Sequence, residues 1–389
     1  MKFILRWKIA LCCALLLGYY TNSFARDYYW IGKGANNNWS LPGNWASASG
    51  AAVSDVQVPP TLTDNAIFDE NSFTTAKKTV IVDATSTCDS IIFRNIQADR
   101  IPTLTVNATL TVKGSMFLTA GMAVNGAASQ TVQFQSERSK ETLATAGITN
   151  IYPNFTFTGS ANWTIDGSLS FYNNGGSPYG KFTFSSTGNL TVNGNMTVTS
   201  FTKTGDSNVD ISGYLTTPSY ITIYSPFTVN FSGSGDMTVG SYVDTDIFSF
   251  SGDGILTING YLNASNVSTA SPLLYRGVYL GGTGKKTING DLTAYYGIIA
   301  DSGTVNIQGD LNMNSYNTYP MSLTGANPSV LNGCKMTIDG NIVNNNAKAA
   351  TGASGGRLSV SGDSTEVEVK GGYATLSDLY ITIVRYKMI

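Results

Sequence analysis

The sequence has no histidine among its 389 residues, and Asp, Glu, Lys and Arg together make up only 12% of it. An average globular chain carries about 25% of these charged residues. Without histidine, the chain lacks the commonest general base, the commonest metal ligand and the usual pH switch. Its formal net charge of −2 excludes the basic field that a nucleic-acid partner requires.

Cysteines are also scarce, since only Cys88 and Cys334 lie beyond the N-terminal apolar stretch. Two thiols in a secreted chain of this size do not make a disulfide framework. We therefore predict that both are small core residues. In a long stack of coils they would lie too far apart to bond to each other.

The one marked apolar run covers residues 9–17, and it is too short for a bilayer span of about 20 residues. Basic residues precede it, and the small residues Ser23 and Ala25 follow it. This order is typical of a secretory signal peptide, so we predict cleavage before Arg26. The expected product is secreted and extracellular, without a membrane span, and attachment to the cell surface is one option.

The most informative positive feature is a recurring Thr-Ile/Val-x-Gly pattern, as in NLTVNGNM, ILTINGYL and KMTIDGNI. Its glycines, here called the phase glycines, are Gly167, Gly194, Gly213, Gly240, Gly260, Gly290, Gly309, Gly340 and Gly362. Successive phase glycines are never closer than 19 residues. The longer spacings have the pattern of insertions into one repeated unit.

Short alternating strands surround each phase glycine, and a unit of about 19 residues is the size of one coil of a three-faced solenoid. In such a fold each coil pairs in parallel with the one before it. We predict an all-β fold, a right-handed parallel β-helix with an N-terminal β cap. Because Asn-Gly is also a strong hairpin signal, an antiparallel meander or a sandwich is the alternative. We expect each phase glycine to supply a positive φ at a corner, and the preceding Asn to form a ladder with the Asn one coil away.

The segment 27–93 has a different character. Its pattern is carried by Trp30, Gly32, Gly34, Trp39, Trp45, Pro60, Asp64, Asn65, Phe68 and the strand TVIVD at 79–83. This stretch resembles the opening of large secreted β-helix surface proteins of Gram-negative bacteria, both type IX-secreted proteins and autotransporter-like passengers. We favour a reading in which the tryptophans seal the first coil as large anchors. A sugar-stacking platform is the functional alternative.

The predicted organisation is a signal peptide at 1–25, a Trp-rich cap module at 26–100 and solenoid coils at 101–389. Residues 134–149 hold the densest cluster of charges, which we interpret as a surface loop. Relatives of the type IX class usually end in an immunoglobulin-like sorting domain, and the last apolar strand here shows neither that domain nor a polar cap. We therefore expect either a truncated chain, or a C-terminal strand edge that pairs with further chain or a partner.

Signs of chemistry are few. Parallel β-helices include carbohydrate lyases and hydrolases, which need convergent carboxylates. The nearest acids are Asp206 with Asp210 and Asp244 with Asp246, and we interpret them as isolated, solvated turn residues. The sequence contains no calcium-binding array, zinc ligand set or phosphate loop. We predict no catalytic residue, no metal site and no cofactor.

Aromatic residues recur five to seven positions beyond several phase glycines: Tyr172, Phe201, Tyr220, Tyr295, Tyr296 and Tyr316. A stripe facing inward would be a core stack, which we favour. A stripe facing outward would make the tyrosines candidate glycan contacts. The sequence predicts a non-catalytic, adhesin-like surface scaffold whose loops contact glycan or cell-surface components. The alternative is a carbohydrate-binding or carbohydrate-active β-helix.

Overall fold

The computed structural model describes residues 25–76, 78–127, 129–148, 150–171, 180–217, 228–264, 277–294, 298–300 and 302–313, and the short segments 329–332, 335–339, 342–344, 358–361, 366–369, 374–375 and 379–381. The protein is nearly all-β, with 48% strand and no α-helix in this part. It has 3-10 turns at Pro42–Asn44, Val53–Asp55 and Ala98–Arg100. No helix among the described residues has the length and apolarity needed to cross a bilayer.

Forty strands, numbered in chain order, form long sheets that we call faces. Face one has the order β2-β1-β3-β6-β9-β12-β14-β17-β20-β23-β26-β29-β32-β35-β38. Its strands are β1 (Arg26–Trp30), β2 (Trp45–Ala46), β3 (Asp64–Phe68), β6 (Ile91–Phe93), β9 (Met116–Phe117), β12 (Lys140–Ala144), β14 (Asn162–Asp166), β17 (Leu190–Val192), β20 (Val209–Ile211), β23 (Met237–Val239), β26 (Leu256–Ile258), β29 (Lys285–Ile288), β32 (Thr304–Ile307), β35 (Lys335–Ile338) and β38 (Glu366–Val369).

Face two follows the order β5-β8-β11-β13-β16-β19-β22-β25-β28-β31-β34-β37-β40. Its strands are β5 (Ser86–Cys88), β8 (Leu110–Val112), β11 (Thr131–Ser136), β13 (Asn154–Gly159), β16 (Lys181–Phe184), β19 (Ser200–Lys203), β22 (Thr228–Phe231), β25 (Ile247–Phe250), β28 (Val278–Leu280), β31 (Ile298–Ala300), β34 (Ser329–Asn332), β37 (Leu358–Ser361) and β40 (Leu379–Ile381).

Face three begins as a three-stranded sheet and continues as a nine-stranded one. Its strands are β4 (Thr79–Val82), β7 (Thr103–Val106), β10 (Ala123–Gly126), β15 (Leu169–Ser170), β18 (Met196–Thr197), β21 (Leu215–Thr216), β24 (Val243–Asp244), β27 (Leu262–Ala264), β30 (Leu292–Ala294), β33 (Leu311–Met313), β36 (Ile342–Asn344) and β39 (Ala374–Thr375). Single bridges from Ile151 to Val124 and to Phe171 join the two parts.

The chain visits the faces in the order one, three, two, and returns one strand further along face one. Successive strands on each face pair in parallel, as in β14–β17, β16–β19 and β18–β21. The antiparallel pair β1–β2 lies at the N-terminal end. Stacked parallel strands confirm the expected architecture and exclude an antiparallel meander. The pairing crosses residue 100 without a break, because β6 pairs with β9 and β5 with β8.

Coil length alternates. On face one, Val192 pairs with Ile211 and Val239 with Ile258, each 19 residues further on. The intervening coils are longer, since Ile211 pairs with Val239 and Ile258 with Ile288. The extra residues fall at one corner, between face three and face two. They are the segments 172–179, 218–227, 265–276, 314–328 and 345–357, which lie outside the described residues.

Side chains alternate strictly between a buried interior and the outside. Phenylalanines stack inside from coil to coil, as do Phe134 on Phe157 (ring centroids 4.4 Å apart) and Phe231 on Phe250 (4.9 Å). Cys88 is a fully buried member of this core, as the sequence predicted for it, and burial raises the pKa of its thiol. Cys334 lies outside the described residues.

The phase glycines serve a purpose that the sequence analysis misjudged. Gly167 has φ of +99°, but Gly194, Gly213, Gly240 and Gly260 have no positive φ. The physical reason for glycine is coil-on-coil contact. A Cβ at Gly240 would lie 2.0 Å from the carbonyl oxygen of the preceding coil's corner, and one at Gly260 would lie 2.7 Å from its counterpart.

Amides stitch successive coils together at the corners. Asn289 Nδ2 donates to Asn259 Oδ1 at 3.0 Å, which is the expected contact between motif asparagines. A longer ladder runs along the start of the face-one strands. There each side-chain oxygen accepts the N–H of the next coil at 2.7 to 3.0 Å, from Asn162 through Asn189, Asn208 and Asp236 to Ile255.

The charge cluster at 134–149 is not a simple surface loop, which corrects the sequence interpretation. Most of it forms β11 and β12, and Glu141 is buried. Arg138 bridges Asp89 at 2.5 Å and Glu141 at 3.3 Å, while Ser115 and Ser136 donate to the Glu141 carboxylate. Burial lowers the pKa of Arg138, but the two carboxylates more than offset this and hold it above its ordinary value. The network ties three consecutive coils together.

Candidate functional site

The five tyrosines named from the sequence, Tyr172, Tyr220, Tyr295, Tyr296 and Tyr316, lie outside the described residues. Phe201, the sixth member of that stripe, is fully buried on face two. Its ring stacks on Phe182 with centroids 5.5 Å apart and an interplanar angle of 3°. At this position the expectation of an inward-facing core stack is confirmed.

A different set of tyrosines forms an outward ladder. Tyr214 stacks on Tyr242 with ring centroids 5.0 Å apart and planes 14° apart, and Tyr242 stacks on Tyr261 at 4.7 Å and 9°. Each occupies the last position of the corner between face one and face three. Tyr261 is 40% exposed, and the other two rings are partly exposed. We call these three residues the tyrosine ladder.

A polar row runs beside the tyrosine ladder. Two residues after each tyrosine, the next outward position on face three holds Thr216, Asp244 or Asn263. These three positions are in register, because β21 pairs with β24 and β24 with β27. Asn263 Nδ2 donates to Asp244 Oδ1 at 3.3 Å. The result is a two-column array of three phenols and three polar side chains on consecutive coils.

Electrostatics keep this array hydrogen-bonding at neutral pH. Partial burial raises the pKa of Tyr242, and Tyr214 and Asp244 add to that shift. Partial burial, Tyr242 and Asp244 likewise raise the pKa of Tyr261. Both phenols are therefore protonated and can donate. Desolvation raises the pKa of Asp244, and its hydrogen bond from Asn263 acts in the opposite direction.

Polar residues flank the tyrosine ladder on the neighbouring coils. The same column holds Asn195 on the N-terminal side, and Asp291 and Asp310 on the C-terminal side. Their side-chain oxygens accept backbone N–H groups of the next coil, Asn195 from Tyr214 at 3.1 Å and Asp291 from Asp310 at 2.8 Å. The aromatic part therefore spans three coils, and an amide and carboxylates bound it.

The four acids considered for catalysis lie in different environments. Asp206 and Asp210 are exposed, and Asp206 accepts the N–H of Ser234 at 3.2 Å; here the interpretation as solvated residues is confirmed. For the other pair it is wrong, because Asp246 is buried and Asp244 is partly buried. These two acids follow a face-three strand, where the next strand begins within three residues and leaves little solvent around them.

Two lysines lie inside the coil stack. Lys203 on β19 and Lys286 on β29 are fully buried, and their ammonium groups donate to the carbonyl oxygens of Gly205 and Gly282 at the corner between faces two and one. Neither is available to an external ligand. The described residues include no group of three or more His, Cys, Asp or Glu side chains placed to hold a metal ion.

Sequence reasoning missed the tyrosine ladder because it followed aromatics five to seven residues beyond each phase glycine. The available signal was nearer. Gly213-Tyr214 and Gly260-Tyr261 place tyrosine directly after the phase glycine, and Tyr242 follows Gly240 by two. All three positions precede the first buried residue of a face-three strand, so they project outward together.

Comparisons with protein-family models, with curated proteins and with solved structures find no match for this chain. Any functional conclusion therefore rests on the array and corners described above.

Proposed function

We propose that this protein is a secreted, non-catalytic, adhesin-like surface scaffold: a right-handed β-solenoid sealed at its N-terminal end by the Trp-rich segment. The carrying observation is that length variation is confined to one corner, while the other two corners keep constant lengths. A rigid stack with variable segments along one edge suits extended presentation of contact loops.

The composition of the corner segments supports this role. Segments 172–179, 218–227, 265–276, 314–328 and 345–357 are rich in Tyr, Ser, Asn and Gly. These residue types dominate protein recognition loops, because tyrosine gives large contact area at low entropic cost and the small polar residues adapt their hydrogen bonds.

The Trp-rich segment supports the proposed seal. Trp30, Trp39 and Trp45 are buried and pack edge to face, with Trp30–Trp45 ring centroids 5.2 Å apart and Trp39–Trp45 centroids 4.8 Å apart. Phe68 on β3 contacts all three rings. This cluster covers apolar surface at the first coils, and its burial argues against a sugar-stacking platform formed by these tryptophans.

The competing role as a carbohydrate lyase or hydrolase needs acidic and basic side chains from consecutive coils in one groove. Lys203 and Lys286 are directed into the interior instead. Secretion to the exterior of a Gram-negative cell is part of the proposal, on the basis of the predicted signal peptide and the N-terminal resemblance.

The test is retention of the chain from Arg26 onward on intact bacterial cells, on immobilised matrix glycoproteins and on a polysaccharide array, with product analysis for chain cleavage. In the matched variants, segments 218–227 and 265–276 are each replaced by Thr-Asp, the connection that this chain itself uses between β24 and β25. We expect retention that falls at least about tenfold in these variants with an unchanged melting temperature. Polysaccharide cleavage, or retention independent of both segments, would contradict the proposal.

A further inference from the structure

We propose that the tyrosine ladder and its polar row form a binding track for an extended, neutral polysaccharide that lies along the stacking axis. The inference concerns a site separate from the corner segments, and it goes beyond the scaffold role. Five residues carry it: Tyr214, Tyr242, Tyr261, Asp244 and Asn263.

The geometry favours a polymer over a compact ligand. Equivalent groups recur at ring-centroid spacings of 5.0 and 4.7 Å, which is the interval between successive strands of a sheet. One pyranose residue of an extended glycan has a closely similar length. Each sugar can therefore meet one phenol and one polar side chain, and the next sugar meets the same pair on the next coil.

The chemistry favours hydroxyl-rich partners. Within the described residues no hydrogen bond engages the three phenol hydroxyls, so they can donate to and accept from a ligand. The Asp244 carboxylate adds a strong acceptor, and Asn263 adds an amide beside it. The exposed parts of the tyrosine rings supply apolar contact for sugar C–H groups, as amphipathic side chains do at recognition sites.

Charge argues for a neutral ligand. Asp244 lies within the array, and Asp291 and Asp310 continue its tyrosine column. A polyanionic glycan would be repelled along this line at close range. The described residues of the array and its flanking column include no Lys or Arg to compensate for that repulsion.

A polypeptide strand is a poorer occupant. Face-three strands already use their backbone groups in pairing between coils, as in β21–β24 and β24–β27. The outward side of this face therefore presents side chains rather than free backbone donors, and β-strand addition requires those donors at a sheet edge.

The experiment is isothermal titration calorimetry of the chain from Arg26 onward with cellohexaose and chitohexaose as neutral probes, and polygalacturonate as the polyanion. The key variant is Tyr214→Phe, Tyr242→Phe and Tyr261→Phe combined, which keeps the ring stack and removes the hydroxyls. Asp244→Asn is the second variant. The matched control is Tyr279→Phe, which changes an outward tyrosine on face two.

We expect at least one neutral hexamer to bind, with affinity weakened at least about tenfold in the triple variant and several-fold in Asp244→Asn. The melting temperature of the triple variant and the affinity of Tyr279→Phe should match those of the unchanged chain. The proposal is overturned if neither hexamer binds at millimolar concentration, if the triple variant binds as well, or if polygalacturonate is the preferred ligand. None of these results bears on retention through the corner segments, so the two proposals fail separately.

Discussion

The ammonium group of Lys203 lies 4.3 Å from the ring centroid of Phe231, the aromatic residue that follows it one coil later in the buried interior. It also donates to the Gly205 carbonyl oxygen. These contacts hold a charge in the core, and desolvation lowers the pKa of Lys203 to about 8 although Asp206 acts in the opposite direction. The unfolded chain has no such burial, so its lysine titrates near 10.5.

This difference predicts a stability that rises with pH. Between about pH 8 and 10.5 the unfolded chain binds a proton on Lys203 that the folded chain has released, so the free energy of unfolding increases. The gain is bounded at about 3 kcal/mol. Urea unfolding at pH 7, 8, 9 and 9.5 measures it, and the window stops before the tyrosines ionise.

Lys203→Met should remove most of this rise, because methionine fills similar space without a titrating group. Lys181→Met, which changes an exposed lysine at the start of β16, should leave it intact. A rise that persists in Lys203→Met would assign the effect to another group, and a flat profile in the unchanged chain would show that Lys203 keeps its ordinary pKa.

The sequence was a good guide to the repeated unit and a poor guide to its details. Alternation and the 19-residue floor predicted stacked parallel strands, because inward and outward positions follow directly from strand periodicity. The purpose of Gly240 could not be predicted, since the clash that a Cβ would create involves Ser212, which belongs to the preceding coil. Such a contact depends on coil spacing and register, which a single sequence does not contain.

The outward tyrosine ladder was missed for a related reason. Tyr214, Tyr242 and Tyr261 are separated by 28 and 19 residues, and they meet only once the insertion is assigned to the corner beyond Thr217. The buried position of Glu141 was missed because its partner Asp89 lies two coils away. Local charge density alone predicts a solvated loop, and the ionic network appears only when the coils are stacked.

Close contact between coils predicts that Gly240→Ala is costly. Its Cβ would lie 2.0 Å from the Ser212 carbonyl oxygen, so backbone must shift on two coils. We expect a loss of about 2–3 kcal/mol in the free energy of unfolding. The control is Gly205→Ala, where φ is +84° but no atom lies within 4 Å of the added Cβ. Backbone strain alone should cost about 1 kcal/mol there. Equal losses at both positions would rule out the steric explanation.

The ionic network predicts a large effect for a half-exposed arginine. Arg138→Met would leave Asp89 and Glu141, whose side chains are 5% and 4% exposed, without their cation. We expect a loss of about 3 kcal/mol, because unpaired buried charges are strongly destabilising. Asp99→Asn, which removes an exposed ion pair at 4.0 Å, should change stability by less than about 0.5 kcal/mol.

The same network offers a rescue. Adding Asp89→Asn and Glu141→Gln to Arg138→Met removes the unpaired charges, so stability should recover by at least half of the loss. Chemical denaturation of the single, the triple and the control variant at neutral pH measures this. A triple variant no more stable than Arg138→Met would mean that packing of the arginine stem, rather than its charge, holds the corner.

Burial of Cys88 predicts an inert thiol. Cys88 is inaccessible and desolvation raises its pKa, so the native chain should not react with iodoacetamide at pH 8 at this position. Lys335, the neighbour of Cys334 in sequence, begins a face-one strand ten positions beyond β6, and at about 4.8 Å per strand a disulfide between the two cysteines is excluded. Mass spectrometry of the alkylated protein, native and in guanidinium, should show both thiols reduced and Cys88 modified only after unfolding. A Cys88–Cys334 disulfide in the purified monomer would be incompatible with the stacked-coil fold.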